Sequence, residues 1–264
     1  MAKFFRFASV AAFLFALVLA GCAPTPSAGG KTDEKATQAE TSGVHIQEGK
    51  LDNGLKVLVL EDHSAPVVTV QVWYRVGARN EQQGLRGMGH LMEHLMFKGS
   101  ENVSPEDHAR VIDAVGGREN AFTSDDVTAY HDTVPASRME LAVELEAERM
   151  GRLKLDPTHY LKEREVVKEE LRLRTQNDPF GALLDKFRSV AYTRHPYKYT
   201  AIGTMEDLDR MTVDDLRAFY KRYYAPNNAV LIVVGDTSFG RVMELARKHF
   251  GPFAAQAAPQ GEPE

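Results

Sequence analysis

The 264-residue sequence predicts an α+β fold, with a mixed, mostly antiparallel sheet packed against helices. Three observations indicate this class. Alternating apolar runs are concentrated between residues 45 and 78, helical patterns dominate from residue 136 onward, and one buried strand, NAVLIVVGD, comes late. Hydrophobic residues make up 43% and charged residues 26%, so the chain has ample material for a core.

The strands are predicted from turn chemistry and β-branched residues. Asp52-Asn53-Gly54 lies between two alternating segments, which is a hairpin signal. APVVTVQVWYRVGA, residues 65–78, is a long β-branched and aromatic run. NAFTSDDVTAYHDTV, residues 120–134, predicts one or two further strands.

The helices are predicted from their capping residues. Ser104 with Pro105 indicates a helix start, and Gly116-Gly117 indicates its end. Further helices are expected over residues 136–153, over residues 157–176 after Asp156, after Asp178-Pro179, in MTVDDLRAFYKRYY with Thr212 as N-cap, and in FGRVMELARKHFG.

The N-terminus is predicted to be a targeting segment. Lys3 and Arg6 precede an apolar run over residues 7–20, which is too short to span a bilayer and is typical of a signal peptide over residues 1–21. The run ends in LAGC, which resembles a bacterial lipobox with Cys22 as the lipidated residue. The alternative is an ordinary signal peptide with a chance cysteine.

This lipobox predicts an exported lipoprotein with a membrane partner, held through its lipid anchor. Ala23 follows Cys22, and the resemblance to bacterial lipoproteins implies an outer-membrane location facing the periplasm. Residues 22–44 predict a flexible tether, residues 45–253 the folded domain, and residues 254–264 a linker-like tail. No basic stripe appears, so no nucleic-acid partner is expected.

The stretch GHLMEHLMFKGS, residues 89–100, carries the clearest chemical signal. In a helix, His90 and His94 lie one turn apart on one face, a spacing that lets two imidazoles hold one Zn²⁺. Glu93 can reach the same side, and H-x-x-E-H is the inverted metalloprotease motif. The alternative is a helix with two partly exposed histidines and an unrelated glutamate.

A catalytic zinc site needs a third ligand, and LKEREVVKEELRLR, residues 161–174, offers carboxylates. Glu163 and Glu170 are seven residues apart and share a helix face, whereas Glu169 points about 100° away from Glu170. One acid of this pair could bind metal while the other supports it. The alternative is a solvated helix face with Glu–Lys pairs. The other histidines, such as His108, are scattered and are interpreted as surface or satisfied side chains.

These motifs resemble the pitrilysin/insulinase family of zinc peptidases, which includes the mitochondrial processing peptidases. GGRENAFTSDDVTAY, LDNGLKVLVLED and the stretch from HPYKYT to LIVVGD are similar to other family segments. The family spacing implies that Glu170 is the third ligand of one zinc ion per chain and that Glu163 is the supporting acid. It further implies one lobe of a two-lobed pitrilysin-like clamshell, with a second lobe as partner.

Two functional hypotheses follow. The first is a zinc metalloendopeptidase lobe in which Glu93 is the general base and extended or unfolded peptide substrate adds as a strand along Asn120, Ala121 and Phe122. The second is a non-catalytic binding or assembly subunit of the same fold. All five motif residues are present, which favours catalysis.

Overall fold

Within residues 45–257, which the computed structural model describes, six strands form one mixed sheet. They are β1 (Gln47–Lys50), β2 (Lys56–Glu61), β3 (Val67–Tyr74), β4 (Arg118–Thr123), β5 (Thr128–Pro135) and β6 (Ala229–Gly235). Their order across the sheet is β1-β2-β6-β3-β5-β4. Neighbouring strands are antiparallel except β2 and β6, which are parallel. The predicted α+β class is therefore confirmed.

Eight α-helices complete the described part of the chain. They are α1 (Met88–Leu95), α2 (Asp107–Ala114), α3 (Met139–Gly151), α4 (Pro157–Leu171), α5 (Pro179–Ala191), α6 (Met205–Arg210), α7 (Val213–Tyr223) and α8 (Phe239–His249). Asp156, Asp178 and Thr212 cap α4, α5 and α7 as predicted, each accepting hydrogen bonds from backbone amides of the first turn. The short helix α6 was not predicted.

The prediction that Ser104 and Pro105 begin a helix is wrong. Helix α2 begins at Asp107, and its N-cap is Glu106 with a positive φ of 67°. The amide of Glu106 donates to the carbonyl of Phe97, 3.2 Å away. This contact holds residues 104–106 in a turn, so the helix begins later than the capping pattern indicates.

The core lies between one face of the sheet and the helices. Val68, Val70, Val72 and Tyr74 alternate along β3 and are fully buried. Helix α3 packs on β3 and β5, and α8 packs on β2. Helix α1 contacts β4, α4 and α7, so it lies between the edge of the sheet and the longest helix of the described chain.

No helix in residues 45–257 has the length and apolar character needed to cross a membrane. The predicted signal peptide (residues 1–21) and the tether (residues 22–44) with Cys22 lie outside the described residues. Of the predicted tail, residues 254–257 are described and have no regular secondary structure.

Candidate metal centre

The start of α1 is fixed by the buried side chain of Glu81. Its carboxylate accepts hydrogen bonds from the backbone amides of Gly87, at 2.8 Å, and Gly89, at 2.7 Å. Gly87 has φ 92°, and a Cβ there would lie 2.6 Å from the carbonyl oxygen of Ile202, so only glycine fits. Burial raises the pKa of Glu81 to about 8, while the hydrogen bonds from Gly89 and Gly87 oppose this rise.

The structure brings the three predicted metal ligands together. Nε2 of His94 lies 3.4 Å from Oε2 of Glu170, and Nε2 of His90 lies 3.7 Å from the same oxygen. The two imidazole rings, one turn apart on α1, have their centroids 4.8 Å apart. Glu170 comes from α4, whose last turn faces α1. The three ligand atoms all lie within 4.8 Å of one another.

These distances fit a tetrahedral zinc ion. Bonds of about 2.0–2.1 Å place the ligand atoms of such an ion roughly 3.3–3.4 Å apart, close to the separations of Glu170 from both histidines. Burial, followed by the electrostatic interactions with His94 and Arg174, lowers the pKa of His90 to about 3. His90 is therefore neutral at physiological pH and has a lone pair available for a metal.

Glu163 lies behind His94, on the side away from Glu170. Its Oε2 is 3.2 Å from Nδ1 of His94, and its Oε1 is 3.2 Å from Nζ of Lys98. Burial acts to raise the pKa of Glu163, but the hydrogen bonds from His94 and Lys98 outweigh it and leave this pKa lowered. An ionised Glu163 accepts the Nδ1 proton of His94, which leaves Nε2 as the metal-binding nitrogen.

Glu93 projects from α1 toward the edge strand β4. The hydroxyl of Thr123 donates to Oε2 of Glu93 at 2.6 Å. Burial raises the pKa of Glu93, and the hydrogen bond from Thr123 opposes the rise. A carboxylate whose pKa is moved toward neutrality suits a general base.

The predicted peptide-binding segment lies in β4, at the edge of the sheet. Asn120, Ala121 and Phe122 pair with β5 on one side only. Phe122 packs edge-on against Trp73, with ring centroids 5.4 Å apart. Ala121 faces the opposite way and lines a cavity of about 210 Å³ whose other walls are Glu93, His94, Phe97, Lys98, Asn120 and Glu163. The free edge of β4 therefore lies beside the candidate metal ligands.

Sequence reasoning missed the residues that position the ligands. Arg174 lies 2.8 Å from Oε1 of Glu170, and its spacing of four residues on a helix is a signal that could have found it. Lys98 also lies four residues after His94. Thr123 and Glu81 carry no comparable local signal, because tertiary packing brings them to α1.

A second buried polar cluster joins α2, β5 and α3. His108 is 5% exposed and lies 3.2 Å from Oδ1 of Asp132, so its interpretation as a satisfied histidine is confirmed. Arg149 contacts His108, and its guanidinium lies 4.7 Å from the ring centroid of Phe97. Glu146 lies 3.5 Å from Arg149 and is fully buried. Because a guanidinium occupies this cluster, it is a poor metal site.

Comparison with known proteins shows the family to which the chain belongs. Residues 56–205 match the family profile "Insulinase (Peptidase family M16)". The chain belongs to the insulinase family of peptidases. Residues 210–264 match a second profile of the family, "Peptidase M16 inactive domain". The insulinase profile spans the H-x-x-E-H stretch and Glu170.

Named relatives and solved structures are similar to this insulinase-family chain. It is 41% identical to the zinc protease PqqE of Helicobacter pylori over 201 residues, 76% of this chain and 45% of that protein. The structure of a protease from Helicobacter pylori matches with a TM-score of 0.79 and 38% identity, over 83% of this chain and 53% of the other. The first half of the periplasmic protease PqqL from Escherichia coli matches with a TM-score of 0.75 and 25% identity, over 82% and 48% of the two chains. The chain thus spans about half the length of the curated relatives it matches.

Proposed function

We propose that this chain is the metal-binding lobe of a zinc endopeptidase that cleaves extended or unfolded peptides. The observation that carries the proposal is the convergence of His90, His94 and Glu170, with Glu93 beside them on α1. Relatives named zinc proteases support the same activity. One zinc ion per chain is expected, because the three ligand atoms form one group.

Bound zinc would supply Lewis acidity, which polarises a scissile carbonyl and lowers the pKa of a water molecule. Glu93 accepts the proton of that water and donates it to the leaving amine. Thr123 holds the carboxylate of Glu93 through its 2.6 Å hydrogen bond. Glu163 keeps the Nδ1 proton on His94, so the Nε2 lone pair stays directed at the metal position.

The peptide is proposed to bind as an added strand along β4. An edge strand presents unpaired backbone donors and acceptors, which an extended peptide can complete. Asn120, Ala121 and Phe122 lie on this edge beside the cavity that Glu93 and His94 line. Such pairing reads the backbone, so it favours unfolded or extended segments over folded proteins.

Full activity is proposed to require a second lobe. His90 is buried, but the side chains of His94 and Glu170 are still 22% and 18% exposed, and peptide hydrolysis benefits from a more fully desolvated site. Because the matched relatives are about twice as long as the aligned region, the second lobe is either a further part of a longer chain or a separate subunit. The non-catalytic subunit remains the alternative, since the family contains an inactive domain.

Glu93→Gln separates these two functions. The variant should keep its zinc, because Glu93 is not one of the three ligands, and should lose peptide cleavage in the presence of a second lobe. Glu144→Gln, at an exposed position of α3, is the matched control and should keep both properties. Zinc per chain is measured by atomic emission and cleavage with a quenched fluorescent peptide. A wild-type chain that binds zinc but never cleaves with a second lobe is a binding subunit. Unchanged turnover in Glu93→Gln contradicts its role as general base.

We also propose that the mature chain is a lipoprotein anchored through Cys22 in the outer membrane, facing the periplasm. The support is the apolar run that ends in LAGC, followed by Ala23. Two acyl chains or more on one cysteine give stable membrane attachment. Cys22→Ser should therefore be unlipidated and appear in the soluble fraction. Membrane retention equal to that of the wild type excludes the anchor.

A further inference from the structure

Helix α5 carries an apolar stripe that residues 45–257 leave exposed. The side chains of the stripe follow a helical spacing, and their exposed fractions range from 42% to 72%. They are Phe180, Leu183, Leu184, Phe187 and Val190. The helix has no buried residue. A stripe of large apolar side chains in this position does not stabilise the fold of this chain, which indicates a binding surface.

A neighbouring side of α5 joins it to the elements of the candidate metal centre. A Cβ on Gly181 would lie 1.8 Å from the carbonyl oxygen of Arg174, so the first turn of α5 packs directly against the turn that follows Glu170. Near the other end, Arg188 donates to Oδ1 of Asp125, in the turn between β4 and β5, at 2.5 Å. Helix α5 thus extends from the end of the ligand-bearing helix α4 to the end of the edge strand β4.

The surroundings of the stripe are basic. Residues 172–198 contain six Lys or Arg and two Asp, and three of these cations, Arg172, Arg174 and Arg188, pair with Glu169, Glu170 and Asp125. Lys186 and Arg194 are exposed within this segment. An occupant with apolar and acidic side chains is therefore complementary to this surface, and a basic peptide is not.

The length of the stripe suits a short stretch of extended chain. The helix rises about 15 Å from Phe180 to Val190, which equals roughly four or five residues of a β-strand. Two or three alternate side chains of such a strand could contact the stripe at once. Pairing along β4 contacts only the backbone of the peptide, so it does not distinguish one peptide sequence from another. A separate surface that binds side chains would supply that sequence selectivity.

We propose that the α5 stripe (Phe180, Leu183, Leu184, Phe187 and Val190) binds apolar side chains of the peptide substrate at positions removed from the scissile bond. The enzyme thereby selects extended segments in which apolar residues alternate with acidic ones. This inference rests on the proposed peptidase function, and it identifies the substrate class of that site.

The test uses the zinc-loaded full chain carrying Glu93→Gln, so that bound peptide stays intact. Two labelled peptides are compared by fluorescence anisotropy, one with alternating Leu and Glu and one with Ser in place of each Leu. The Leu peptide should bind more tightly. Adding Leu183→Gln and Phe187→Gln should weaken its binding about tenfold and leave the Ser peptide unaffected. Ile46→Gln, an exposed apolar position next to β1 at the other edge of the sheet, is the matched control.

The inference is overturned if the two peptides bind equally tightly or if neither binds. It is also overturned if Ile46→Gln weakens binding of the Leu peptide as much as the double substitution does. If the molecular mass measured in solution rises with protein concentration, and the double substitution abolishes that rise, the stripe binds a second copy of the chain instead. Binding to phosphatidylglycerol vesicles instead of the Leu peptide would assign it to a membrane. Stripe-dependent peptide binding without cleavage by the wild type and a second lobe would refute the peptidase proposal alone. Cleavage that ignores the Leu residues would refute this inference alone.

Discussion

Replacement of Glu163 by glutamine measures how much the supporting carboxylate contributes to metal binding. In the wild type, Glu163 accepts from Nδ1 of His94 and from Lys98, each at 3.2 Å, and its side chain is 12% exposed. Glutamine has one acceptor oxygen, so one of these charge-assisted hydrogen bonds is lost, and the negative charge next to His94 disappears.

The expected effect is a loss of zinc affinity without a loss of fold. Residues that orient a metal-binding histidine in this way typically contribute about 10- to 100-fold in affinity, or roughly 1.4–2.8 kcal/mol. Glu165→Gln is the matched control, because Glu165 lies on the same helix with a side chain 54% exposed and pairs with Lys168 at 3.2 Å. A surface pair of this kind contributes about 0–1 kcal/mol to stability and nothing to the metal site.

The assay is competition for zinc between each variant and a chromophoric chelator, with circular dichroism as the check on folding. Glu163→Gln should lose affinity while Glu165→Gln matches the wild type. Wild-type zinc affinity in Glu163→Gln would refute the view that Glu163 orients His94. An equal loss in both variants would show that the charge of α4, rather than this contact, controls binding.

Three further predictions concern stability. The raised pKa of Glu81 means that its proton is bound more tightly in the folded chain, so stability should fall as pH rises from 4.5 to about 8. Glu81→Gln should flatten the decline of stability with pH, as measured by urea unfolding at each pH. It should also cost about 1–2 kcal/mol of stability at low pH, because one hydrogen bond is lost. An unchanged dependence of stability on pH would exclude Glu81 as the cause of the decline. Gly181→Ala should destabilise the chain by about 1–3 kcal/mol, because the new Cβ would overlap with the backbone of Arg174. Gly240 has open space around it, so Gly240→Ala should not destabilise the chain. Equal midpoints of urea unfolding for the two variants would contradict this. Arg149→Met should lower the free energy of unfolding by about 3–5 kcal/mol, because Glu146 loses its buried partner. Adding Glu146→Gln should restore part of that free energy. No recovery in urea unfolding would show that the two side chains are not coupled.

Local features of the sequence predicted most of the elements. Asp156 and Thr212 cap their helices because an N-cap needs only neighbouring amides. The H-x-x-E-H spacing predicted that His90 and His94 share a face, since helix geometry alone decides this. The late apolar run predicted a buried strand, and β6 occupies the centre of the sheet.

Contacts between distant segments explain what the sequence could not predict. Ser104 has the pattern of an N-cap, but the bond from Glu106 to Phe97 moves the helix start. Thr123 reaches Glu93 across 30 residues of sequence, and no local rule selects it. The choice of Glu170 rather than Glu163 as ligand came from a family resemblance, because two acids on one helix face are equivalent until the partner helix is placed.

The position of β6 has a consequence for how the chain folds. β6 joins β2 on one side to β3 on the other, yet it is the last strand of the described chain to be synthesised. Without β6, β2 has only β1 as a neighbour and β3 has only β5, so the β1–β2 pair and the β3–β5–β4 group would each have an apolar edge without a partner. Folding must therefore wait for a contact that joins residues far apart in sequence, which makes it slow. During that interval the unpaired strand edges are prone to aggregation.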